Sequence, residues 1–444
     1  MRKLLLNLAL FSMLLAGCQK AENSAEVEIL PAKQSPRLTY QEAVAVAQKG
    51  ISWLEKSEKT RGKKGVRSIN HSNTKAVVGG TTRSGEGADT LMYVFNFDNN
   101  EGFAMVATAR DSEQLIAVTE QGNYTPGVDT DNEGFNMFAR AAEEYVSALA
   151  VTPNPGLIDP GGPFYKIEYQ EEYDTVGPLL ATKWGQSGVY GNECPNLPYG
   201  VAGCVATAMA QIMAYHQHPA TMALTYSGAP TSSLTLDWDG IALHTKTGEC
   251  SCGTNSTTIH NHISYLCREI GERVDMDYND AYTDENGKYH GPSSGAFSSD
   301  VPPAFAGLGY TTSVNLIDYN IQTILSNTSA GKPVYMQGVQ PSNNNNDDIG
   351  HAWVVDGCIT YTQMFITYIS IASNNGPWRI DEIRYRYTYY PHCNWGWSGN
   401  CDGFFNDGVF KTANAYQYDS STGNSASYNF NDELLIITNI TPNN

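Results

Sequence analysis

Basic side chains are scarce in this chain. Of 444 residues only 27 are Lys or Arg, against 46 Asp or Glu, a formal net charge of −19. Nucleic-acid phosphates are bound by clustered Lys and Arg, so nucleic acid is excluded as the main partner. Charge of either sign is thin, at 16% of positions where an average globular chain has roughly 25%. Tyr (27 residues) with many Asn, Ser and Thr takes its place, a surface that suits an exported protein. Long apolar runs are lacking too: beyond the N-terminus, no stretch approaches the roughly 18 apolar residues needed to cross a bilayer as a helix. No internal repeat is visible. What is present sets other bounds. A chain of 444 residues with 41% hydrophobic positions is too long for one typical domain and too apolar for disorder. Its charge is uneven, with −2 over residues 1–150 and −17 over residues 151–444, which suggests two regions with different tasks.

Arg2 and Lys3, an apolar run from Leu4 to Ala16 and the ending Leu15-Ala16-Gly17-Cys18 read as a secretory signal over residues 1–17. The ending is similar to a bacterial lipobox, which makes Cys18 the expected lipid anchor and the protein an exported cell-envelope lipoprotein, at the outer membrane or cell surface, with release after processing. Eight cysteines remain, Cys194, Cys204, Cys250, Cys252, Cys267, Cys358, Cys393 and Cys401. Export permits disulfides among them, and spacing leaves their pairing open.

Residues 18–37 are a polar tether. Tyr40–Leu54 carries Ala43, Val44, Ala47, Ile51 and Leu54 at helical spacing, so an amphipathic helix is expected. The basic stretch with Lys56, Lys59, Arg61, Lys63, Lys64 and Arg67 reads as a mobile loop open to nicking. Three short strands follow (Leu91–Phe97, Gly102–Thr108 and Gln114–Thr119), then a helix over Met137–Leu149. These make a small α+β domain over 38–150. Thr152–Pro163, with four prolines and three glycines, is the clearest linker, which sets 151–163 apart from a second domain over 164–444. Asn343–Asp348 is a polar loop that borders a motif described next, where a loop often gates a site.

The strongest local signal is Gly200-Val-Ala-Gly-Cys204-Val-Ala-Thr-Ala-Met-Ala-Gln-Ile-Met-Ala-Tyr215-His216. Val205, Ala208, Met209, Ile212 and Met213 form a helical stripe, and Pro198, Gly200 and Gly203 end any regular structure before it, so a helix starts at or beside Cys204. Unpaired N–H groups at a helix start favour thiolate over thiol, which makes Cys204 a candidate nucleophile. Such a nucleophile needs an imidazole to take its proton and return it to the leaving amine. His351, opening the apolar run His-Ala-Trp-Val-Val, is best placed for this. Taken alone, Cys204 also suits a small core position and His351 a hydrogen-bonded strand position. In Cys393-Asn394-Trp395-Gly396-Trp397, an Asn394 amide can orient the imidazole while the Trp395 indole shields that bond from water. In Lys183-Trp184-Gly185-Gln186, Gln186 can donate to the oxyanion of a tetrahedral intermediate.

The order Gln186, Cys204, His351, Asn394-Trp395 resembles that of papain-like cysteine peptidases. The longer words are similar to the streptopain family: Trp-Gly-Gln, Gly-Cys-Val-Ala-Thr-Ala-Met-Ala-Gln-Ile-Met-Ala-Tyr-His, Val274–Tyr278, Gly291–Gly295, Pro333–Gly338, Gly350-His351-Ala352 and Asn394–Trp397. The resemblance covers roughly 175–440, and the region 38–150 looks like that family's inhibitory pro-domain. It implies an α+β, papain-like, two-lobed peptidase made as a zymogen and cleaving internal peptide bonds of protein substrates. Cys204 is then the nucleophile and His351 the general acid/base. Gln186 lines the oxyanion hole, Asn394 and Trp395 orient and cover the histidine, and the chain's own pro-domain is an intramolecular inhibitor. No cofactor and no metal are implied. Two departures stand out. The 43 positions between His351 and Asn394 exceed the family's connection, with Thr360–Tyr390 reading as a hairpin beside the cleft, and Asn279–Tyr289 is a further insertion.

Other motifs carry less. Gly291-Pro-Ser-Ser-Gly295 matches a serine-hydrolase elbow in letters only, because a polar loop precedes it and a proline interrupts it. His216-Gln-His218, His260-Asn-His262 and Cys250-Ser-Cys252 hold zinc-type donors without a second well-spaced pair, so they read as loops or helix ends. Asp129–Glu133 and Asp277–Asp280 hint at calcium without a complete twelve-residue loop. Two other functions fit the same fold: a catalytically silent surface lipoprotein binding peptide or glycan, and an amidase or transglutaminase-like enzyme.

Overall fold

The computed structural model describes residues 35–60, 66–81, 88–110, 112–149, 164–246, 249–250, 256–340, 349–370, 377–411, 415–419, 424–428 and 434–443. The signal, Cys18, the linker over 151–163 and the Asn343–Asp348 loop lie outside the described residues.

Helix α1 (Tyr40–Thr60) begins where the sequence places it and runs six residues further. Its start is a capping box, with Thr39 N–H donating to Glu42 Oε2 at 2.7 Å and Glu42 N–H to Thr39 Oγ1 at 3.4 Å. Lys56 and Lys59 therefore belong to a helix rather than a loop. Arg67 does lie in the connecting segment, but it is tied down: its guanidinium forks onto Glu58 at 2.5 and 2.9 Å, and its Nε donates to the Glu101 carbonyl. Only residues 61–65 of that basic stretch lie outside the described residues.

Strands β1 (Ile69–Thr81), β2 (Ala88–Phe97), β3 (Phe103–Ala107) and β4 (Leu115–Thr119) pair antiparallel in order. The polar β1 has no alternation to betray it in the sequence. In β3 every residue is buried. Ala104 and Val106 face the apolar stripe of α1, whereas Phe103, Met105 and Ala107 face helix α2 (Glu133–Ala148). The period of two along a strand thus lets one sheet pack a helix on each side.

The sheet does not end at β4. Strands β5 (Phe164–Val176), β6 (His244–Lys246), β7 (Glu249–Cys250), β8 (Val334–Gln340), β9 (Ile349–Ser370), β10 (Arg379–Asn394), β11 (Gly403–Phe405) and β12 (Leu435–Ile437) follow in the chain. The large sheet runs β1-β2-β3-β4-β11-β10-β9-β8-β12, with β5 beside β9 and the short strand Ile317–Asp318 paired beyond β12. Its joint is β4 against β11, where Thr119, Val118 and Ala117 pair with Gly403, Phe404 and Phe405. Helices α3 (Cys204–His216) and α4 (Ser256–Arg273) pack on its second half. α3 is buried along Val205–Ala214 rather than on one stripe, as expected of a helix that is apolar all round.

By compactness the chain forms two units. One holds residues 35–155, 173–361 and 388–444 and contains every residue of the site below. Among described residues the other holds 164–172, 362–370 and 377–387, pieces of β5, β9 and β10. Within it Gln363 donates to Glu171 at 3.3 Å and Tyr368 to Glu168 at 3.0 Å. The expected hairpin over Thr360–Tyr390 is therefore made of the far halves of two long strands.

Candidate active site

Cys204 is the first residue of α3. Gly203 caps the helix with φ +84°, ψ 154°, a backbone position that only glycine takes without strain. Burial pushes the Cys204 thiol up to about 11, opposed by N–H groups of Ala352, Val205 and Cys204 and reinforced by the Glu133 carboxyl. Burial outweighs these N–H groups, so the helix start alone does not activate the sulfur.

His351 lies at the start of β9, 2% exposed. Alternation decides its direction. Ala352 and Val354 join the core around α3, whereas Trp353 and Val355 join the core around α2. His351 shares the Trp353 face, with its ring stacked on that indole at 6.0 Å and 13°. Its Nε2 hydrogen-bonds the Trp395 carbonyl at 2.8 Å, and Nδ1 has no partner among the described residues. Burial lowers its pKa to about 4, against the pull of that carbonyl. Thiol and imidazole are both neutral here, joined through neighbouring backbone at Ala352 rather than by a hydrogen bond to each other.

Helix α2 lies against this histidine. Gly134, its second residue, sits on the imidazole: a methyl there would come 2.3 Å from His351 Cδ2, 2.8 Å from Nε2 and 2.7 Å from Trp395 Cε3. Asn132 caps α2 by accepting from Phe135 N–H at 2.9 Å, and its Nδ2 donates to the Asn400 carbonyl at 2.7 Å. One side chain thus starts the helix and ties it beside the site.

The remaining expected residues fall nearby in different roles. The Gln186 carbonyl accepts from Ala202 N–H at 2.7 Å, which fixes the Trp184–Gln186 segment two residues before Cys204. Trp395 is fully buried, packed on Trp353 at 4.9 Å, and it is its carbonyl that receives the histidine. Asn394 is directed elsewhere: its Nδ2 donates to the Thr182 carbonyl at 2.8 Å, and its Oδ1 accepts from Gln211 Nε2 at 3.1 Å and from Gly396 N–H at 3.3 Å. Gln211, inside α3, also accepts from Trp184 N–H at 3.0 Å. One buried amide therefore ties the nucleophile helix, the Gln186 segment and the Asn394-Trp395 segment together. Sequence reasoning missed Gln211 because a Gln on an apolar helix gives no sign of its partners.

A buried charge cluster borders these segments. Glu120, just past β4, pairs with Lys183 and lies 3.4 Å from His392 Nε2, while His392 Nδ1 is 2.6 Å from Asp356. Burial alone would lower the His392 pKa, but the Asp356 and Glu120 carboxylates raise it to about 9. Asp402, pushed up to about 6 by burial, accepts from Trp395 N–H at 2.9 Å. Cys194, Cys204, Cys267, Cys358, Cys393 and Cys401 are free thiols. Among the described side chains no group of three His, Cys, Asp or Glu is placed to hold a metal.

A partly buried cysteine at a helix start, a histidine on the adjoining ladder and a helix of the N-terminal region lying on that histidine suit a latent thiol hydrolase. Comparison with known proteins agrees. The Peptidase C10 family model matches residues 184–405, half of the chain, and the Spi protease inhibitor model matches residues 35–146. The chain belongs to the peptidase C10 family: it is a streptopain-like cysteine peptidase, α+β and papain-like, preceded by an inhibitor pro-domain. Streptopain of Streptococcus pyogenes is 28% identical over 361 residues, covering 72% of this chain and 75% of that protein. The thiol protease/hemagglutinin PrtT of Porphyromonas gingivalis is 23% identical over 360 residues, 73% of this chain and 34% of that protein. The solved structure of a prointerpain A fragment from Prevotella intermedia is similar with a TM-score of 0.48 and 19% identity, covering 85% of this chain and all of that one.

Proposed function

We propose that Cys204 and His351 are the catalytic pair of an exported endopeptidase, and that the described form is its zymogen, held inactive by Gly134 on the imidazole. The observation that carries this reading is the arrangement of His351: Nε2 is already oriented by the Trp395 carbonyl while Nδ1 is unpartnered. When α2 leaves, the ring is free to turn across the strand start so that Nδ1 takes the Cys204 proton. The thiolate then attacks the scissile carbonyl, the Cys204 N–H and the Gln186 amide stabilise the oxyanion, and the imidazolium protonates the leaving amine. Water, deprotonated by the same imidazole, hydrolyses the thioester. Asn394 orients this machinery at one remove, through Gly396 and Gln211. The signal and Cys18 support export with a lipid anchor in the envelope membrane.

The test is self-processing of the purified full chain. Wild type shortens on incubation, Cys204→Ser stays at full length, and in the shortened product iodoacetamide labels Cys204 at neutral pH far faster than the other thiols. Identical processing of both chains, or equal labelling of all thiols, overturns the reading.

A further inference from the structure

The insertion over Asn279–Tyr289 forms a two-part hairpin. Asp277–Asn279 pairs with Ser293–Gly295, and beyond it Tyr282–Thr283 pairs with Tyr289–His290. Asp284 closes the tip: its Oδ1 accepts from the N–H groups of Asn286 and Lys288, both at 2.9 Å. The hairpin lies along the segment that leads into Cys204. Asn196 Nδ2 donates to the Ser293 carbonyl at 3.0 Å and Ser294 Oγ to the Val201 carbonyl at 2.6 Å. Further out, Leu197 N–H donates to Asp280 Oδ1 at 2.7 Å and Ala281 N–H to the Leu197 carbonyl at 2.8 Å. At the near end a Cβ on Gly203, the residue before the nucleophile, would lie 3.1 Å from Ser294. Hairpin and nucleophile are thus held on one frame.

What this frame shows to solvent is aromatic and acidic. Tyr282 and His290 are cross-strand partners, their rings stacked at 4.7 Å with planes 6° apart, and Asp284 Oδ2 lies 3.1 Å from His290 Nε2. The row continues to Tyr199, whose hydroxyl is 3.4 Å from where a Cβ on Gly291 would stand. Tyr199, Tyr282 and Tyr289 are each more than half exposed, and Leu197 is open as well. Over residues 275–290 five acids stand against one Lys, and among the described residues none of the five pairs with Lys or Arg. Arg268, which lies over the Tyr278 ring at 4.9 Å, is taken by Glu272 of its own helix. Tyrosine faces attract cations, and carboxylates beside them raise the local concentration of a cationic chain.

We propose that this hairpin is a docking surface for a Lys- and Arg-rich segment of protein substrates. Basic side chains would lie on the Tyr199 and Tyr282 rings and beside the Asp277 and Glu285 carboxylates, which are exposed. The tip is already ordered by its own hydrogen bonds, so docking would cost little rearrangement. The proposal rests on Cys204 being the nucleophile, since that is what makes the hairpin a neighbour of the bond to be cut. Substrate preference would then be set partly outside the cleft, by charge at a distance from the cleavage point.

The test separates docking from cleavage. Full-length chain carrying Cys204→Ala is mixed with a fluorescent unstructured peptide that carries a run of Lys and Arg, and with the same peptide carrying Glu at those positions. Fluorescence anisotropy at low salt should show binding of the basic peptide only, weakening as salt rises. Tyr282→Ala should weaken it about 2- to 5-fold, the size of one exposed cation–π contact, and Asp277→Asn with Glu285→Gln by a similar factor. Asp239→Asn with Asp318→Asn, an equal charge change at exposed positions on other elements, should leave it unchanged. In the processed enzyme, the hairpin variants should lower the preference in kcat/KM for a substrate with the basic run over one without it by the same factor. Equal affinity for the two peptides overturns the proposal, as do hairpin variants that match the control pair at an unchanged melting temperature. A chain that instead dimerises through this face, with Tyr282→Ala dissolving the dimer, overturns it too. The binding arm needs no cleavage, so a Cys204→Ala chain that still cut peptide would refute the catalytic pair alone.

Discussion

Gly134→Ala is the sharpest probe of latency because two effects of one methyl have opposite signs. Gly134 has no positive φ and lies in the first turn of α2, where replacing glycine by alanine stabilises a helix by up to about 1 kcal/mol. If α2 merely covered the site, the substitution would tighten the zymogen. The new Cβ, however, would stand 2.3 Å from His351 Cδ2 and 2.7 Å from Trp395 Cε3, closer than carbon atoms approach. Both neighbours are buried and have little room to give way. Overpacking of this kind costs about 1–3 kcal/mol, so a net loss of roughly 1–2 kcal/mol is expected, or about a 5- to 30-fold weaker hold of the pro-domain at tenfold per 1.4 kcal/mol. Two assays read it. In the active chain, the lag before self-processing shortens by that factor. In the Cys204→Ala background, where nothing is cut, the melting temperature falls. Gly127→Ala serves as the control, since a Cβ there meets nothing within 4 Å and only its φ of +73° is strained. An unchanged lag and an unchanged or raised melting temperature for Gly134→Ala would refute the idea that steric contact on the imidazole enforces latency.

Other expectations follow from the same geometry. His392 has a folded pKa of about 9, above the roughly 6.5 of an unfolded histidine, so its contribution is complete below about 6.5 and is lost as pH rises through about 9. The Cys204→Ala zymogen should therefore lose melting temperature across that alkaline window, and His392→Gln should flatten the loss; equal pH profiles would remove the charge cluster from the account. Gln211→Ala should lower kcat of the mature enzyme by about 10- to 100-fold with little change in KM, because the amide aligns three catalytic segments and does not meet substrate. A change confined to KM would contradict that. Cys18→Ser should move the protein from the membrane to the soluble fraction, and retention on the membrane would refute the lipobox.

How much of this was legible in the sequence depends on whether a feature is made by neighbours in the chain. The start of α3 at Cys204 is local: glycines and a proline stop what precedes, and an apolar run begins. The same holds for α1 and the three strands β2, β3 and β4, whose patterns match their burial, whereas α2 starts at Glu133, four residues before the expected Met137. β1 was missed because its residues are polar and glycine-rich, and its pairing with β2 rather than any pattern makes it a strand. The choice of acceptor for His351 was missed for a related reason. Asn394 and Trp395 are adjacent, so spacing allows either the amide or the next carbonyl, and only the pull of Gln211 and the Thr182 carbonyl on the amide decides between them.

The latch on the histidine was illegible for a deeper reason, and the sheet supplies it. Gly134 and His351 are 217 positions apart, and no spacing rule connects them. They meet because β4 adds to β11 in one register, Val118 opposite Phe404, and because Asn132 both starts α2 and anchors it on Asn400. A slip of one residue at β4–β11 would exchange the two buried faces of β4 between the α1 and α2 sides and carry α2 away from the imidazole. On the proposed reading, latency depends on this strand pairing as well as on the inhibitor-like region over residues 35–146. Weakening the β4–β11 joint with Val118→Lys, remote from both catalytic side chains, should therefore release activity as Gly134→Ala does.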